Sequence, residues 1–161
     1  MRVLMFRHAE RESTGSPNPP LSPRGLKQAV KLVKDIHTGL LPRPQRLYCS
    51  PKLRAHQTFH QAHSVLGVEL STHADLDERR TSESVDQFEK RVQKFLQFIS
   101  SQRDVMYFVT HLDWIEEALL RIPADTDLSK EEFQRWQPGQ VAEFEVHDGV
   151  WMFQKLKVLE P

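Results

Sequence analysis

The sequence has one cysteine, Cys49, so no disulfide within the chain holds it together. It has no excess charge of either sign, since 22 Lys and Arg stand against 22 Asp and Glu. That balance excludes the strongly basic surface that drives binding to nucleic acid or anionic membranes. Long apolar runs are missing too: the wholly apolar stretches are short, whereas a membrane helix needs about 20 residues. The apolar stretch that opens the chain is stopped by Arg7, too early for a secretion signal. No repeat and no low-complexity tract is present. These absences predict a cytoplasmic protein that engages neither nucleic acid nor membrane, and they leave its oligomeric state open. At 161 residues the chain suits one domain, residues 1–161, whose core needs no covalent staple.

What is present is an alternation of strand and helix signals. Val3 to Phe6 is a short apolar run that predicts a buried strand. Glu10 to Pro20 is rich in Ser, Gly, Asn and Pro and reads as loop. Ser22 followed by Pro23 predicts a helix start, with Leu26, Ala29, Val30, Val33 and Ile36 as its apolar stripe. Arg46 to Cys49 predicts a second strand, and Ser50-Pro51 repeats the cap-and-proline signal for a helix reaching Val65. A third strand is expected at Val68 to Leu70. Val85, Phe88, Val92, Phe95 and Ile99 mark an amphipathic helix. Val105 to Thr110 is the most strand-like run, and it passes through His111 into a helix carrying Ile115, Ala118, Leu119 and Ile122. Ser129 and Glu132 have the spacing of a capping box. Val141 to Val146 and Val150 to Leu156 flank Asp148-Gly149, a hairpin signal. This order predicts a three-layer α/β fold: a mostly parallel central sheet, helices on both faces, and an antiparallel edge hairpin near the C-terminus.

In such sheets ligands bind beyond the carboxyl ends of the strands. Three predicted strands end in unusual polar residues: Arg7-His8-Ala9-Glu10, Ser50-Pro51-Lys52-Leu53-Arg54, and His111. If those strands lie side by side, two arginines and two histidines converge on one rim. A guanidinium is a rigid fork that binds phosphate oxygens in pairs. A neutral imidazole can attack phosphorus, and a second can donate to its oxygens. Helix N-termini at Pro51 and near His111 add N–H donors. The set describes a pocket for a phosphoryl group rather than a metal. Cys49 with Arg54 offers a cysteine-based alternative, but the spacing is one residue short of a loop that wraps a phosphoryl group, and no glycine lies between. His56, His60 and His63 share one helical stripe without a carboxylate or thiol, which reads as a polar face rather than a metal site. Trp136, just before Gln137-Pro138-Gly139, is a candidate for the pocket mouth.

Arg7-His8-Ala9-Glu10, Pro20-Leu21-Ser22-Pro23-Arg24-Gly25, Ser50-Pro51-Lys52-Leu53-Arg54-Ala55-His56-Gln57-Thr58, Leu76-Asp77-Glu78-Arg79 and Val109-Thr110-His111 follow one another along the chain. As a set they resemble the histidine phosphatase superfamily, also called phosphoglycerate mutase-like, over most of the sequence. The resemblance implies that His8 is the nucleophile that becomes phosphorylated. It implies that Arg7, Arg54 and His111 bind the phosphoryl oxygens, that His111 also stabilises the transition state, and that Glu78 gives a proton to the leaving oxygen. It also implies that no metal and no cofactor is needed. Arg79 and Leu112 are second-tier candidates for substrate contact, as are Arg24 and Arg80. Two positions depart from the family pattern, Ala9 and Leu112 standing where glycine is usual after each histidine. The implied function is a metal-independent phosphatase acting on a phosphomonoester or a protein phosphohistidine through a covalent phosphohistidine. The partner is then a phosphorylated small molecule or protein. The alternatives are a phosphate-binding module without turnover, and a phosphoglycerate-type mutase, which the short chain disfavours. In size the chain is like the short bacterial phosphohistidine phosphatases, yet it carries Glu78, which those tend to lack.

Overall fold

All residues, 1–161, are described by the computed structural model. The chain runs through β1 (Arg2–Arg7), α1 (Pro23–His37), β2 (Arg46–Cys49), α2 (Leu53–Leu66), β3 (Leu70–Thr72), α3 (Val85–Ser100), β4 (Val105–Thr110), α4 (Leu112–Leu119), β5 (Gln140–His147) and β6 (Val150–Val158). Short 3-10 turns occur at Ala74–Leu76 and Glu131–Phe133. The six strands make one sheet in the order β3-β2-β4-β1-β5-β6. Neighbours β3, β2, β4 and β1 pair in parallel, and β5 and β6 are antiparallel. Asp148 and Gly149 both take positive φ, 49° and 79°, the geometry a two-residue hairpin turn needs. No helix is long and apolar enough to cross a membrane.

Alternation along β1 shows how the layers arise. Val3 and Met5 point into one apolar cluster with Phe88, Val92, Phe95 and Ile99 of α3 and Trp114, Ile115 and Ala118 of α4. Leu4 and Phe6 point the other way, against Leu32, Val33 and Ile36 of α1 and Ala55, Phe59 and Ala62 of α2. A strand covered on both faces must be apolar at successive positions, and Val3 to Phe6 is. The three-layer α/β arrangement and the edge hairpin are as the sequence predicts.

Four local expectations are corrected. Leu26 and Val30 of α1 are 50% and 56% exposed, so the stripe drawn through them is displaced. The buried face instead includes Gln28 and Asp35. Both are polar but satisfied: Gln28 accepts from Glu10 N–H and donates to the carbonyls of Pro138 and Leu159, while Asp35 is paired with Lys31 and Lys157. Helix α2 begins at Leu53 with Lys52 as its cap residue, not at Ser50. Strand β3 is Leu70–Thr72, two residues beyond the expected start, because Val68 is buried outside the ladder. No capping box forms at Ser129, whose hydroxyl donates to Asp127 instead.

Candidate active site

The sheet order puts β4 between β2 and β1, so the carboxyl ends of all three are neighbours. Arg7 of β1 is in register with Thr110 of β4, and the next residues are the two histidines. The backbone N–H of His8 donates to Thr110 O (3.0 Å), and that of Ser50, just past β2, donates to Val109 O (3.1 Å). These ladder-end bonds bring the His8 and His111 rings to 5.3 Å between centroids. His111 is the cap residue of α4, yet its side chain makes no capping bond, which leaves the imidazole free for the site. Arg54 lies in the first turn of α2 and is only 5% exposed.

Arg54 is the hub. Its Nε–H donates to His8 Nε2 (3.3 Å), and its Nη2 donates to Glu78 Oε2 (2.8 Å) and His111 Nδ1 (3.2 Å). A guanidinium has no acceptor, so these contacts fix both tautomers. His8 must carry its proton on Nδ1, which donates to Ala9 O (2.8 Å), and its Nε2 lone pair faces the cavity cations. His111 carries its proton on Nε2, which donates to Ser50 Oγ (2.6 Å). Burial is the main cause that pushes His8 down to about 3 and His111 down to about 2, and Arg54 and Arg7 push the same way. Both rings are therefore neutral at any ordinary pH. The Nη1 group of Arg54 and the Nε of Arg7 are buried and have no partner within the protein. Unfilled buried donors are costly, and these are two where an anion would be welcome.

Arg7, His8, Arg54, Glu78, His111 and Leu112 line one cavity of about 300 Å³. Arg79, Arg24 and Arg80 do not line it. Arg79 meets the site only through its backbone N–H, which donates to Asp113 Oδ2 (2.8 Å), and Arg24 pairs with Glu160 and Glu10. Trp136 is buried rather than at the mouth, and its carbonyl accepts from Arg7 Nη1 (2.5 Å). His56, His60 and His63 form no group that could hold a metal; His63 is tied to Val68 O. Three further cavity residues, Arg11, Asp113 and Glu116, were not singled out from the sequence. Nor was Ser50 as a partner of His111, because its place before a proline reads as a helix cap. Lys52 Nζ approaches Glu78 Oε1 (3.4 Å), so Glu78 sits between two cations.

The sequence matches the histidine phosphatase superfamily (branch 1) over residues 3–82, a span that holds Arg7, His8, Arg54 and Glu78. The chain belongs to the histidine phosphatase superfamily. That membership places it among the phosphatases. No curated protein matches its sequence significantly. Among solved structures it is similar to an Escherichia coli K-12 protein provisionally assigned as an alpha-ribazole-5'-P phosphatase, with 17% identity, a TM-score of 0.82, and 99% of this chain and 98% of that one covered. It is also similar to the protein histidine phosphatase SixA in complex with tungstate, at 16% identity and TM-score 0.71 over 99% and 97% of the two chains. A phosphoserine phosphatase of Entamoeba histolytica aligns at 15% identity and TM-score 0.71 over 99% and 98%. At these identities the structures share the fold.

The two departures from the histidine phosphatase pattern are accommodated. Ala9 is fully buried and is not among the residues with positive φ, so its backbone needs no glycine. Its Cβ packs with Leu21 and Ala29, and its N–H donates to Thr58 Oγ1 (3.0 Å). Leu112 packs partly against the α3–α4 cluster and presents an apolar edge to the cavity.

Proposed function

We propose that this histidine phosphatase hydrolyses a phosphomonoester by way of a phosphohistidine on His8, without a metal, and that residues 1–161 act as one domain. The carrying observation is the Arg54 hub, which holds a neutral His8 Nε2 beside buried, unfilled guanidinium donors. In the first step the Nε2 lone pair bonds to phosphorus as the bond to the leaving oxygen breaks. Glu78 supplies the proton that oxygen takes. In the second step water attacks phosphorus, Glu78 takes its proton, and the P–N bond breaks to return neutral His8. Arg7, Arg54 and His111 meet the charge on the phosphoryl oxygens. Phosphoryl transfer depends chiefly on positioning and charge stabilisation, and guanidinium groups already supply the cations. The presence of Glu78 in the cavity favours an ester, whose alkoxide needs a proton, over a phosphoramidate. The fold shared with SixA, a protein histidine phosphatase, makes phosphohistidine protein the comparison substrate. A chain with balanced charge and a lone buried thiol suits the cytoplasm.

The test is turnover of 4-nitrophenyl phosphate with a strong chelator present, beside His8→Ala. Turnover by the parent and none by the variant is expected. Quenched parent enzyme should carry phosphate that is labile to acid and stable to alkali. Equal activity in His8→Ala, or loss of activity on chelation, overturns the proposal.

A further inference from the structure

The structure assigns Arg91 of α3 as the positioning residue for Glu78, an inference that rests on reading Glu78 as the proton donor. Glu78 lies outside any helix or strand, in the loop after the Ala74–Leu76 turn. Such a loop cannot by itself hold a carboxylate to the tolerance that proton transfer demands. Arg91 is one helical turn and more into α3, behind the cavity lining rather than part of it, and is 8% exposed. Its guanidinium spends every N–H on this loop. Nη1 donates to the carbonyls of Asp75 (2.9 Å) and Asp77 (2.7 Å), and Nη2 donates to the carbonyl of Glu78 (3.1 Å). The remaining two N–H groups, on Nε and Nη2, donate to the two oxygens of Glu83 (2.7 Å each).

The pairing with Glu83 offsets the buried charge and sets the plane of the fork, whose flank rests on Phe88. Other donors reach the front of the loop, since Trp114 Nε1 donates to Asp75 O and Thr110 Oγ1 to Leu76 O. For the carbonyls of Asp77 and Glu78 the structure has no donor but Arg91. A lysine keeps the charge but cannot reach three carbonyls and a carboxylate at once.

A lost proton donor is felt in proportion to how badly the leaving group needs a proton. The experiment therefore measures kcat for a series running from 4-nitrophenyl phosphate, whose phenolate departs unprotonated, to glycerol phosphate, whose alkoxide does not. Glu78→Gln, Arg91→Lys and the double variant are compared with the parent. Arg91→Lys should lose about 10- to 100-fold on glycerol phosphate, part of the range for general acid catalysis, and under about 3-fold on 4-nitrophenyl phosphate. The double variant should lose no more than Glu78→Gln alone, since both act through one proton. Binding of tungstate, which the proposed phosphoryl site of Arg7, Arg54 and His111 should hold, should be unchanged and reports that the site is folded. Equal loss across the series, or additive loss in the double variant, overturns the assignment. If Glu78→Gln itself leaves the leaving-group dependence unaltered, the donor reading falls and the assignment with it. Should Arg91→Lys fail to fold, Glu83→Gln, which loosens the same fork, must show the same skew in smaller degree, and an even loss there overturns the proposal.

Discussion

His8 and His111 carry a consequence for stability that follows chiefly from their burial. In the unfolded chain a histidine takes a proton near pH 6.5, whereas in the folded protein these two resist protonation down to about 3 and about 2. Between those limits the unfolded state binds more protons, so stability is full above pH 6.5 and is lost as pH falls. His56 and His73 are shifted down as well and add in the same direction. Each site histidine should withdraw about 1 kcal/mol between pH 7 and 5.5. Denaturant titrations at the two pH values check this, and His111→Gln should show a shallower fall than the parent. A protein more stable at pH 5.5 than at 7 would contradict neutral, buried imidazoles. The places of single residues were legible unevenly. Arg7, His8, Arg54 and His111 stand next to strand ends and could be placed by pattern. Arg91 could not, because its partners are backbone carbonyls, and a carbonyl leaves no mark in a sequence.

Helix α1 shows what an element owes to its neighbours. Ser22 caps it, accepting from Gly25 N–H (3.0 Å), and Ser22 Oγ also donates to Glu10 Oε1 (2.8 Å). The helix thus begins against the loop that carries His8, and Gly25 makes the approach feasible. A Cβ added at Gly25 would lie 2.0 Å from Glu10 O, a backbone atom that cannot swing aside. Gly25→Ala should therefore cost about 1–3 kcal/mol despite the better helix propensity of alanine. It should also lower kcat by moving the backbone beside His8. Thermal unfolding and a 4-nitrophenyl phosphate assay read the two effects, and a more stable variant with full activity would refute the close contact. The cap and the proline of α1 were readable in the sequence, whereas its inner face was not. Burial patterns treat Gln28 and Asp35 as outward, and only the partners supplied by Pro138, Leu159 and Lys157 make them inward. The same limit displaced the start of α2, where Ser50 was drawn to His111 by a strand pairing that no local rule encodes.

For the molecule as a whole, the number and type of layers were legible because hydrophobic period and turn residues are local signals. The order of the strands was not, since the place of β4 between β2 and β1 depends on crossovers of long range. That order is what joins the two halves of the site. Arg54 comes from α2, in the layer built on Leu4 and Phe6, while His111 opens α4 in the opposite layer. An anion held by both should tie the layers together and oppose global unfolding. Ligand present at 100 times its Kd adds about 2.7 kcal/mol, and for a chain of this size each kcal/mol raises Tm by about 2–4 °C. Tungstate at saturating concentration should therefore raise Tm by about 5–10 °C. Arg54→Gln should abolish the shift, because it removes the hub that both histidines and Glu78 share. Arg79→Ala should keep it whole, because that side chain lies outside the cavity lining. A tungstate shift that survives Arg54→Gln would mean that the anion sits elsewhere and that the unfilled guanidinium donors are not its site.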